Sequence, residues 1–414
     1  MTLQSAATIA EPKPSHNRAH IVGAGPVGLL LTALLQSVDG FSVHLYEKRH
    51  EYKRTRMVKL SPYLVADSLE SYRSDYIDGE SVEAIFDPPE LDEGLAFRQS
   101  IPADLSSLLH DWSQGFCPLN TIERSLSALI DARASKSVQR SSMVMTAEDA
   151  MAMLAPGDIL VDCTGANSLL RDHLVPGPNA GERGANTVTI RLEYAIVVTF
   201  LYSQSYECNE FCKYHKNVEN LEYKFIPAVD RTYYDGNISH VTGIVHITPE
   251  DYAAMPPQFD GQWLRANFPG VAQSMDRFID HVKRETNGEM IGDLEIVRIP
   301  LNLYHGRNAT SRCWRGDALR DHPFANSPVF LLGDSAIGSP YFQSISLGFE
   351  CAMRLAALLS QRDLPIEDVF DRYELYTYKQ WLRVYMRSKM IKHNKDLFES
   401  VDDPLALLKK LHIY

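Results

Sequence analysis

The most constraining feature of the chain is a glycine pattern near its start, Gly23-Ala24-Gly25-Pro26-Val27-Gly28. It follows a short apolar run, Ala19-His20-Ile21-Val22, and it opens an Ala/Leu-rich helical stretch that extends to about Val38. The N-terminus of a helix after such a turn offers free N–H groups and a positive dipole end to phosphate. The three glycines permit the tight turn, the close approach of a pyrophosphate and the packing of helix on strand. The pattern therefore predicts a dinucleotide-binding β–α–β unit.

Glu47 ends the second strand of this unit, which has the sequence FSVHLY over 41–46. It follows Gly28 by 19 positions. A carboxylate at this place accepts hydrogen bonds from a ribose 2′-OH and disfavours a 2′-phosphate. We therefore expect FAD or NAD at this site, and not NADP.

Charge and composition exclude several classes of protein. The chain carries 41 Lys and Arg against 53 Asp and Glu, a net charge of −12, whereas a sequence-independent nucleic-acid binder needs a basic face. Six cysteines in 414 residues make no disulfide framework. Cys208, Cys212 and His215 have no fourth ligand nearby, so no metal site is predicted. No signal peptide or bilayer-spanning run is visible, and we expect a cytoplasmic protein without stable membrane insertion.

A second strand–turn–helix pattern lies near the other end of the chain. The apolar run 329–332 ends in Gly333-Asp334, and a Gly/Ser/Pro loop then leads into the helical sequence LGFECAMRLAALLSQ. Between the two patterns, 186–302 is rich in β-branched and aromatic residues, which predicts a largely antiparallel sheet. The last 50 residues have a helical pattern, with a basic stretch from Lys379 to Lys395.

The paired motifs resemble the FAD-dependent monooxygenase superfamily of the aromatic-hydroxylase type, in which a Gly-Asp pair contacts the FAD ribityl and pyrophosphate. The close motif matches cover about 19–62, 158–171 and 328–358. The resemblance implies an α/β fold: a Rossmann-like FAD-binding domain with an inserted, mainly antiparallel β-sheet substrate domain and C-terminal helices. The expected units are a disordered tail over 1–18, an FAD-binding domain over 19–185 and 303–365, a substrate domain over 186–302, and helices over 366–414.

The resemblance also implies which residues contact FAD. They are Gly23, Gly25, Pro26, Val27 and Gly28 in the first turn, Glu47 after it, and Gly333, Asp334, Pro340 and Ser346 in the second pattern. Segment 47–62, EKRHEYKRTRMVKLSP, is similar to the MICAL-type monooxygenase domain, which adds Lys48 and Arg49 on the adenosine side and Arg54 and Arg56 near the FAD. Arg124 stands where many of these flavoproteins have an Arg or Gln facing the phosphates. The alternatives are a solvated charged loop for the basic residues and a helix N-cap for Asp334.

A third motif, DILVDCTGANSLLR over 158–171, departs from the aromatic hydroxylases. Thr164-Gly165 replaces their Asp-Gly pair, which is linked to pyridine-nucleotide binding, while Ser168 and Arg171 are retained. The DCTG form and the turn SPYFQS are similar to flavin-dependent halogenases, but their W-x-W-x-I-P signature is absent from this chain.

The function implied by the resemblance is that of an FAD-dependent monooxygenase of the hydroxylase or epoxidase type. Such an enzyme forms a C4a-peroxyflavin with O₂ and acts on a small substrate, here an aromatic or polyketide-like metabolite. Electrons come from NAD(P)H or from a partner flavin reductase, because the chain has no second dinucleotide fingerprint. The alternatives are a flavin-dependent halogenase and a non-redox flavin-binding scaffold, the latter suggested by the basic C-terminal helix. No catalytic residue is identified, and His240, His246 and His305 are candidates by chemistry alone.

Overall fold

The structure is a computed structural model, and two sheets organise the part of the chain that it describes. One of these sheets has five strands and the other has six, and a smaller third sheet has two. The described residues are 17–54, 57–66, 68, 88–133, 138–203, 223, 225–234, 238–315, 322–339 and 344–399.

The helices and strands alternate in the first and last parts of the chain, and long strands dominate the middle. The strands are β1 (Asn17–Val22), β2 (Phe41–Glu47), β3 (Met57–Lys59), β4 (Phe116–Pro118), β5 (Val138–Ser142), β6 (Ile159–Asp162), β7 (Thr187–Tyr202), β8 (Phe225–Tyr234), β9 (Ile238–Ile247), β10 (Gln258–Asp260), β11 (Met290–Gly306), β12 (Val329–Leu331) and β13 (Ile337–Gly338). The helices are α1 (Pro26–Leu35), α2 (Pro88–Ser100), α3 (Ala103–Ser113), α4 (Leu119–Ala132), α5 (Ala147–Ala152), α6 (Pro249–Ala254), α7 (Gly261–Asn267), α8 (Pro269–Thr286), α9 (Pro323–Asn326), α10 (Ser344–Ser360) and α11 (Ile366–Glu399). None of these helices combines the length and the apolar character that a membrane crossing requires.

The first sheet is parallel and has the strand order β12-β6-β1-β2-β5. All four residues of β6 and all three of β12 are buried, as is typical of parallel strands that are covered on both faces. Strand β1 begins at Asn17, two residues before the expected Ala19, because Asn17 and Arg18 extend the ladder opposite Phe41 and Ser42. The sheet confirms the Rossmann-like part of the predicted fold class.

The second sheet is antiparallel and has the order β10-β11-β7-β9-β8, with β13 paired to β11. One face packs on α8, where the Phe225 and Phe278 rings lie 5.1 Å apart. This sheet confirms the predicted antiparallel architecture, although helices α6, α7 and α8 also lie within 186–302. Strand β11 continues to Gly306 and crosses the expected domain boundary at 302, because its pairing with β7 is continued to Thr187. The division of the chain into domains stays a prediction.

Asp162, the last residue of β6, binds the loop that follows it. The side chain is fully buried. Its Oδ1 accepts hydrogen bonds from the backbone N–H and hydroxyl of Thr164 at 2.8 and 2.6 Å, and its Oδ2 accepts them from Ser168 Oγ and Leu170 N at 2.6 and 2.8 Å. Ser335 Oγ, in the turn after β12, donates to Oδ1 at 3.1 Å. One carboxylate therefore joins two loops that are far apart in the sequence.

We expect Asp162→Asn to lower the free energy of unfolding by about 2–4 kcal/mol, because the amide has one acceptor oxygen and its NH₂ group faces buried donors. Chemical denaturation measures the loss. Asp363→Asn, at an exposed position, is the matched control and should change stability by less than about 0.5 kcal/mol. A loss below about 1 kcal/mol in Asp162→Asn would contradict the role of the carboxylate.

His20 is buried in the middle of β1. Its Nδ1 lies 3.0 Å from the Tyr46 hydroxyl, and its Nε2 lies 3.2 Å from Asp158 Oδ2. Burial lowers the pKa of His20, and this effect exceeds the opposite one of Asp158. The ring is therefore held neutral in the folded protein.

The lowered pKa of His20 makes stability depend on pH. Its folded pKa lies below the ordinary value of 6.5, so the unfolded chain takes up a proton first as the pH falls, and the free energy of unfolding falls with it. One such group contributes at most about 1.4 kcal/mol per pH unit. We expect His20→Gln to show a shallower loss of stability between pH 7 and 5 than the wild type, measured by denaturation at each pH. His110→Gln, at an exposed site, should keep the wild-type slope, and equal slopes in all three proteins would refute the prediction.

Candidate dinucleotide site

A cavity of about 480 Å³ opens where the parallel strands end. Every strand of the parallel sheet contributes residues that follow its carboxyl end, and the first turn of α10 closes another side. The lining residues fall into these groups: Val22–Val27, Tyr46–Arg49, Arg54, Val58, Leu119, Met143–Met145, Cys163–Asn167, Leu169, Leu332, Asp334 and Ser344–Ile345, with Ala24 not among them. Ligands of open α/β sheets bind at this edge, and a volume of this size is ordinary for a small-molecule pocket.

Most of the residues expected to contact a cofactor line this one cavity. They are Gly23, Gly25, Pro26, Val27, Glu47, Lys48, Arg49, Arg54 and Asp334. Four others, Gly28, Arg124, Gly333 and Ser346, do not line it. Arg56 and Pro340 lie outside the described residues.

Glycine stands at the three positions of the first turn for different structural reasons. Gly23 has a φ of +100°, and a Cβ there would lie 2.5 Å from the carbonyl oxygen of Cys163. A Cβ at Gly28 would lie 2.0 Å from the carbonyl oxygen of Gly23. A Cβ at Gly25 would meet only Arg54 Nη2, at 3.5 Å. Gly23 and Gly28 are therefore required by packing, whereas Gly25 keeps the loop open toward the cavity.

The N-terminus of α1 lies at this loop. Gly25 is its N-cap and gives no side-chain hydrogen bond, so the first N–H groups of this ten-residue helix have no side-chain cap. Glu47 fastens the loop from the other side: its Oε2 accepts from Ala24 N at 2.8 Å and its Oε1 from Arg49 N at 2.9 Å. Each carboxylate oxygen has a second lone pair, which leaves Glu47 able to accept from a ligand hydroxyl.

Arg54 is held beside Gly25 by Glu123, a residue that the sequence analysis missed. The two side chains form a hydrogen-bonded ion pair, and Glu123 is fully buried in α4. Burial raises the pKa of Glu123, and the Arg54 guanidinium opposes this shift. Glu123 lies among the buried residues of α4 with Ile122 and Leu126, and an acidic residue on an apolar helix face is the signal that identifies it.

Arg124 is turned away from the cavity. Its Nη2 donates to the backbone carbonyl of Tyr52 at 3.1 Å, so it fastens the loop before Arg54 instead of facing the expected phosphates. The reason is the orientation of α4, which turns Glu123 inward and leaves the next residue exposed.

The Gly-Asp turn after β12 is held by hydrogen bonds from Tyr304 and Arg171. Gly333 has a φ of +64°, and the carbonyl of Asp334 accepts a hydrogen bond from the Tyr304 hydroxyl at 2.8 Å. Arg171 Nη1 reaches the same carbonyl at 3.4 Å, and its guanidinium lies 5.0 Å from the centre of the Tyr304 ring. Burial raises the pKa of Tyr304 far above its ordinary value, so the phenol remains a donor. Ser346 is fully buried, and its Oγ accepts from Ser61 N at 2.9 Å.

An apolar patch flanks the cavity next to Glu47. Met143 and Val144 follow β5 and are 41% and 74% exposed. The N–H of Met143 donates to the carbonyl of Glu47 at 3.0 Å, which fixes the patch beside that residue. Sequence reasoning missed this patch because neither residue belongs to a motif.

Of the histidines considered as catalytic candidates, His246 and His305 do not line the cavity. His246 Nδ1 lies 2.9 Å from Glu193 Oε2 on the antiparallel sheet, and the His305 ring lies 4.5 Å from that of Trp381. Within the described part of the chain, no three His, Cys, Asp or Glu side chains are grouped as a metal site would require. Cys208, Cys212 and His215 lie outside the described residues, and nothing is described of the His240 side chain.

The comparisons with known proteins agree with this architecture. A family model for an NAD(P)-binding Rossmann-like domain matches residues 21–52, and no curated protein matches the chain. Among solved structures, the Diels-Alderase PyrE3 of pyrroindomycin biosynthesis is similar at 14% identity with a TM-score of 0.51, over 96% of this chain and 76% of that one.

Two further structures are less similar. One is 2-methyl-3-hydroxypyridine-5-carboxylic acid oxygenase, at 14% identity and a TM-score of 0.48, over 95% of this chain and 96% of that one. The other is CmlS, a flavin-dependent halogenase, at 13% identity and a TM-score of 0.46, over 90% of this chain and 63% of that one. The chain thus contains a Rossmann-like dinucleotide unit and shares the fold of PyrE3.

We expect Gly25→Ala and Gly28→Ala to fail in different ways. Gly25→Ala should keep the thermal stability of the ligand-free protein and lose dinucleotide affinity at least about tenfold, because its methyl group occupies the space that a pyrophosphate approaches. Gly28→Ala should instead give little folded protein, because its methyl group overlaps the Gly23 carbonyl. Thermal melts and titration with FAD separate the two. Unchanged affinity in Gly25→Ala would show that the ligand does not approach this loop.

Proposed function

We propose that this cavity binds FAD and that the chain is an FAD-dependent monooxygenase acting on a small aromatic or polyketide-like metabolite. One observation carries the proposal: the cavity joins the glycine turn, Glu47 and Asp334, although Asp334 lies about 300 residues after the first two. An NAD-binding β–α–β unit by itself would need only the glycine turn and Glu47. The distant Gly-Asp turn at the same cavity supports FAD over NAD, through the resemblance to aromatic hydroxylases.

The residues present fit FAD along the length of the cavity. Gly25 and the uncapped N-terminus of α1 would hold the pyrophosphate, and Glu47 would accept hydrogen bonds from the ribose hydroxyls. The patch of Met143 and Val144 would lie against the adenine, whose flat apolar faces suit such a surface. Asp334 would accept hydrogen bonds from the ribityl hydroxyls.

The charge of the lining also suits a pyrophosphate. The lining contains three basic residues, Lys48, Arg49 and Arg54. It contains two acidic residues, Glu47 and Asp334, so the lining is locally basic within an acidic protein. Glu123 offsets part of the Arg54 charge from its buried position. The two phosphate charges of a pyrophosphate would be attracted by the three basic side chains.

Bound FAD would supply the redox and oxygen chemistry, and the chain would bind and orient it and exclude water. The antiparallel sheet would cover the substrate, and NAD(P)H or a partner flavin reductase would supply electrons. The Diels-Alderase activity named for PyrE3 shows that this fold hosts more than one reaction, so halogenation and non-redox flavin binding are the alternatives to be tested.

The first test is flavin binding. The purified protein should be yellow, and we expect Asp334→Ala to weaken FAD at least about tenfold, measured by quenching of FAD fluorescence, because one to two charge-assisted hydrogen bonds are lost. Asp363→Ala, an exposed acidic residue, is the matched control and should bind FAD normally. A colourless protein that gains no thermal stability from added FAD would refute the proposal.

The second test is turnover. O₂ uptake and NAD(P)H oxidation are followed with a panel of aromatic and polyketide-like metabolites, with and without a flavin reductase. Substrate-dependent O₂ uptake with a product heavier by one oxygen atom supports the monooxygenase. A chlorinated product in the presence of chloride supports the halogenase, and flavin binding without any turnover supports the scaffold.

A further inference from the structure

Glu123 and the candidate pyrophosphate position share one nitrogen atom of Arg54. Nη2 of Arg54 donates the hydrogen bond to Glu123 Oε1. The same Nη2 is the atom that a Cβ placed on Gly25 would meet, at 3.5 Å. A pyrophosphate that approaches the loop at Gly25 therefore meets a donor that Glu123 already holds, and the two acidic groups compete for it.

The Glu123 carboxylate depends on Arg54 because its side chain is fully buried. Water does not reach it, and within the described part of the chain its Oε2 has no hydrogen-bond partner. A buried carboxylate that loses its paired donor bears the full cost of its desolvation for as long as it is charged. Protonation removes that cost, because burial penalises only the charged form of the group.

The other ionisable groups around Glu123 hold it less strongly than Arg54 does. Arg49 favours the charged carboxylate and Glu47 disfavours it, and Arg49 Nε itself lies 3.7 Å from Glu47 Oε1. Burial raises the pKa of the Tyr52 phenol, so that group stays neutral near pH 7. Helix α1, which packs on α4, has no ionisable residue. The ionisable residues of the other neighbours, α3 and β4, and of the rest of α4 are Asp104, His110, Asp111, Cys117, Arg124 and Asp131. None of these shifts the pKa of Glu123 as strongly as Arg54 does.

We propose that Arg54 passes from Glu123 to the phosphates when a dinucleotide binds, and that Glu123 then takes up one proton from solution. The hydrogen bond between Arg54 and Glu123 breaks, a hydrogen bond from Arg54 to a phosphate oxygen forms, and the proton adds to a carboxylate oxygen of Glu123. Glu123 is thus a positioning residue that competes with the ligand for Arg54. The proposal rests on the binding of a pyrophosphate in this cavity, as the proposed function requires, and not on the redox reaction.

The exchange makes the affinity depend on pH with a fixed sign. Burial raises the pKa of Glu123 and the Arg54 guanidinium opposes this shift, so the loss of Arg54 raises the pKa further. A ligand that raises the pKa of a group binds more weakly as the pH rises from the pKa of the free protein to that of the complex. One proton per ligand sets a limit of about tenfold in the dissociation constant per pH unit.

Titration calorimetry with FAD counts the protons without any substitution. The apparent binding enthalpy is measured at pH steps between about 5.5 and 8.5, in two buffers whose ionisation enthalpies differ, such as HEPES and Tris. The difference between the two buffers gives the number of protons taken up. We expect the wild type to reach about 0.5–1 proton per FAD within this range. Binding of FAD without proton uptake at any of these pH values overturns the exchange.

Three variants assign the proton to Glu123. Glu123→Gln accepts from Arg54 but has no charge, so it should bind FAD at least about threefold more tightly than the wild type at about pH 8, with a pH-independent dissociation constant. Arg54→Gln should bind FAD more weakly and also lose the pH dependence, because Glu123 then lacks its partner in both states. Glu51→Gln, at an exposed acidic residue of the same loop, is the matched control and should keep the wild-type slope. A folded Glu123→Gln protein that keeps the wild-type slope, or that binds FAD more weakly at about pH 8, overturns the proposal.

Titration with NAD separates this proposal from the proposal of an FAD site. NAD carries the same pyrophosphate, so the exchange should accompany the binding of either dinucleotide in this cavity. Proton uptake with NAD in a protein that does not bind FAD refutes the flavin site and supports the exchange. A protein that binds neither dinucleotide overturns both proposals.

Discussion

The Asp162 carboxylate is the interaction on which the candidate site depends. It accepts hydrogen bonds from the loop that follows β6 and from Ser335 in the turn after β12. These two segments supply one side of the cavity, including Cys163 and Asp334. Because the carboxylate is buried, water cannot take its place as the acceptor for these donors. The two loops are therefore held in one relative position. One side of the cavity is thus fixed in part by a single buried acceptor between sequence-distant loops.

The local parts of the site could be predicted from the sequence. The glycine turn and Glu47 lie within one β–α–β unit, where spacing alone decides which residues meet, and the structure places them at one cavity. The role of the Gly-Asp turn was predicted only through resemblance, because no local rule connects Asp334 to residues about 300 positions earlier. The fold class followed from the resemblance that these two patterns carry and from the β-rich middle of the chain, and it is confirmed.

The parts that sequence reasoning missed are decided by packing. A motif comparison selected Arg124 on α4, but the rotation of that helix buries Glu123 against Arg54 and leaves Arg124 on the Tyr52 carbonyl. A change of one position on a helix turns a side chain by roughly 100°, and no motif records that angle. The Met143 and Val144 patch was missed for another reason: its place beside Glu47 comes from the pairing of β5 with β2, which is a tertiary contact.

The position of β12 at one end of the parallel sheet has a consequence for the making of the protein. The other four strands of that sheet, β6, β1, β2 and β5, are complete by Asp162, but β12 follows only at Val329. During synthesis, the first half of the chain leaves the ribosome with the glycine turn, and β12, which completes the pocket, follows much later. The edge of β6 that later pairs with β12 therefore has no partner strand while the antiparallel sheet is synthesised. Pairing between segments this far apart in the sequence slows folding, and it leaves a strand edge exposed until β12 is added.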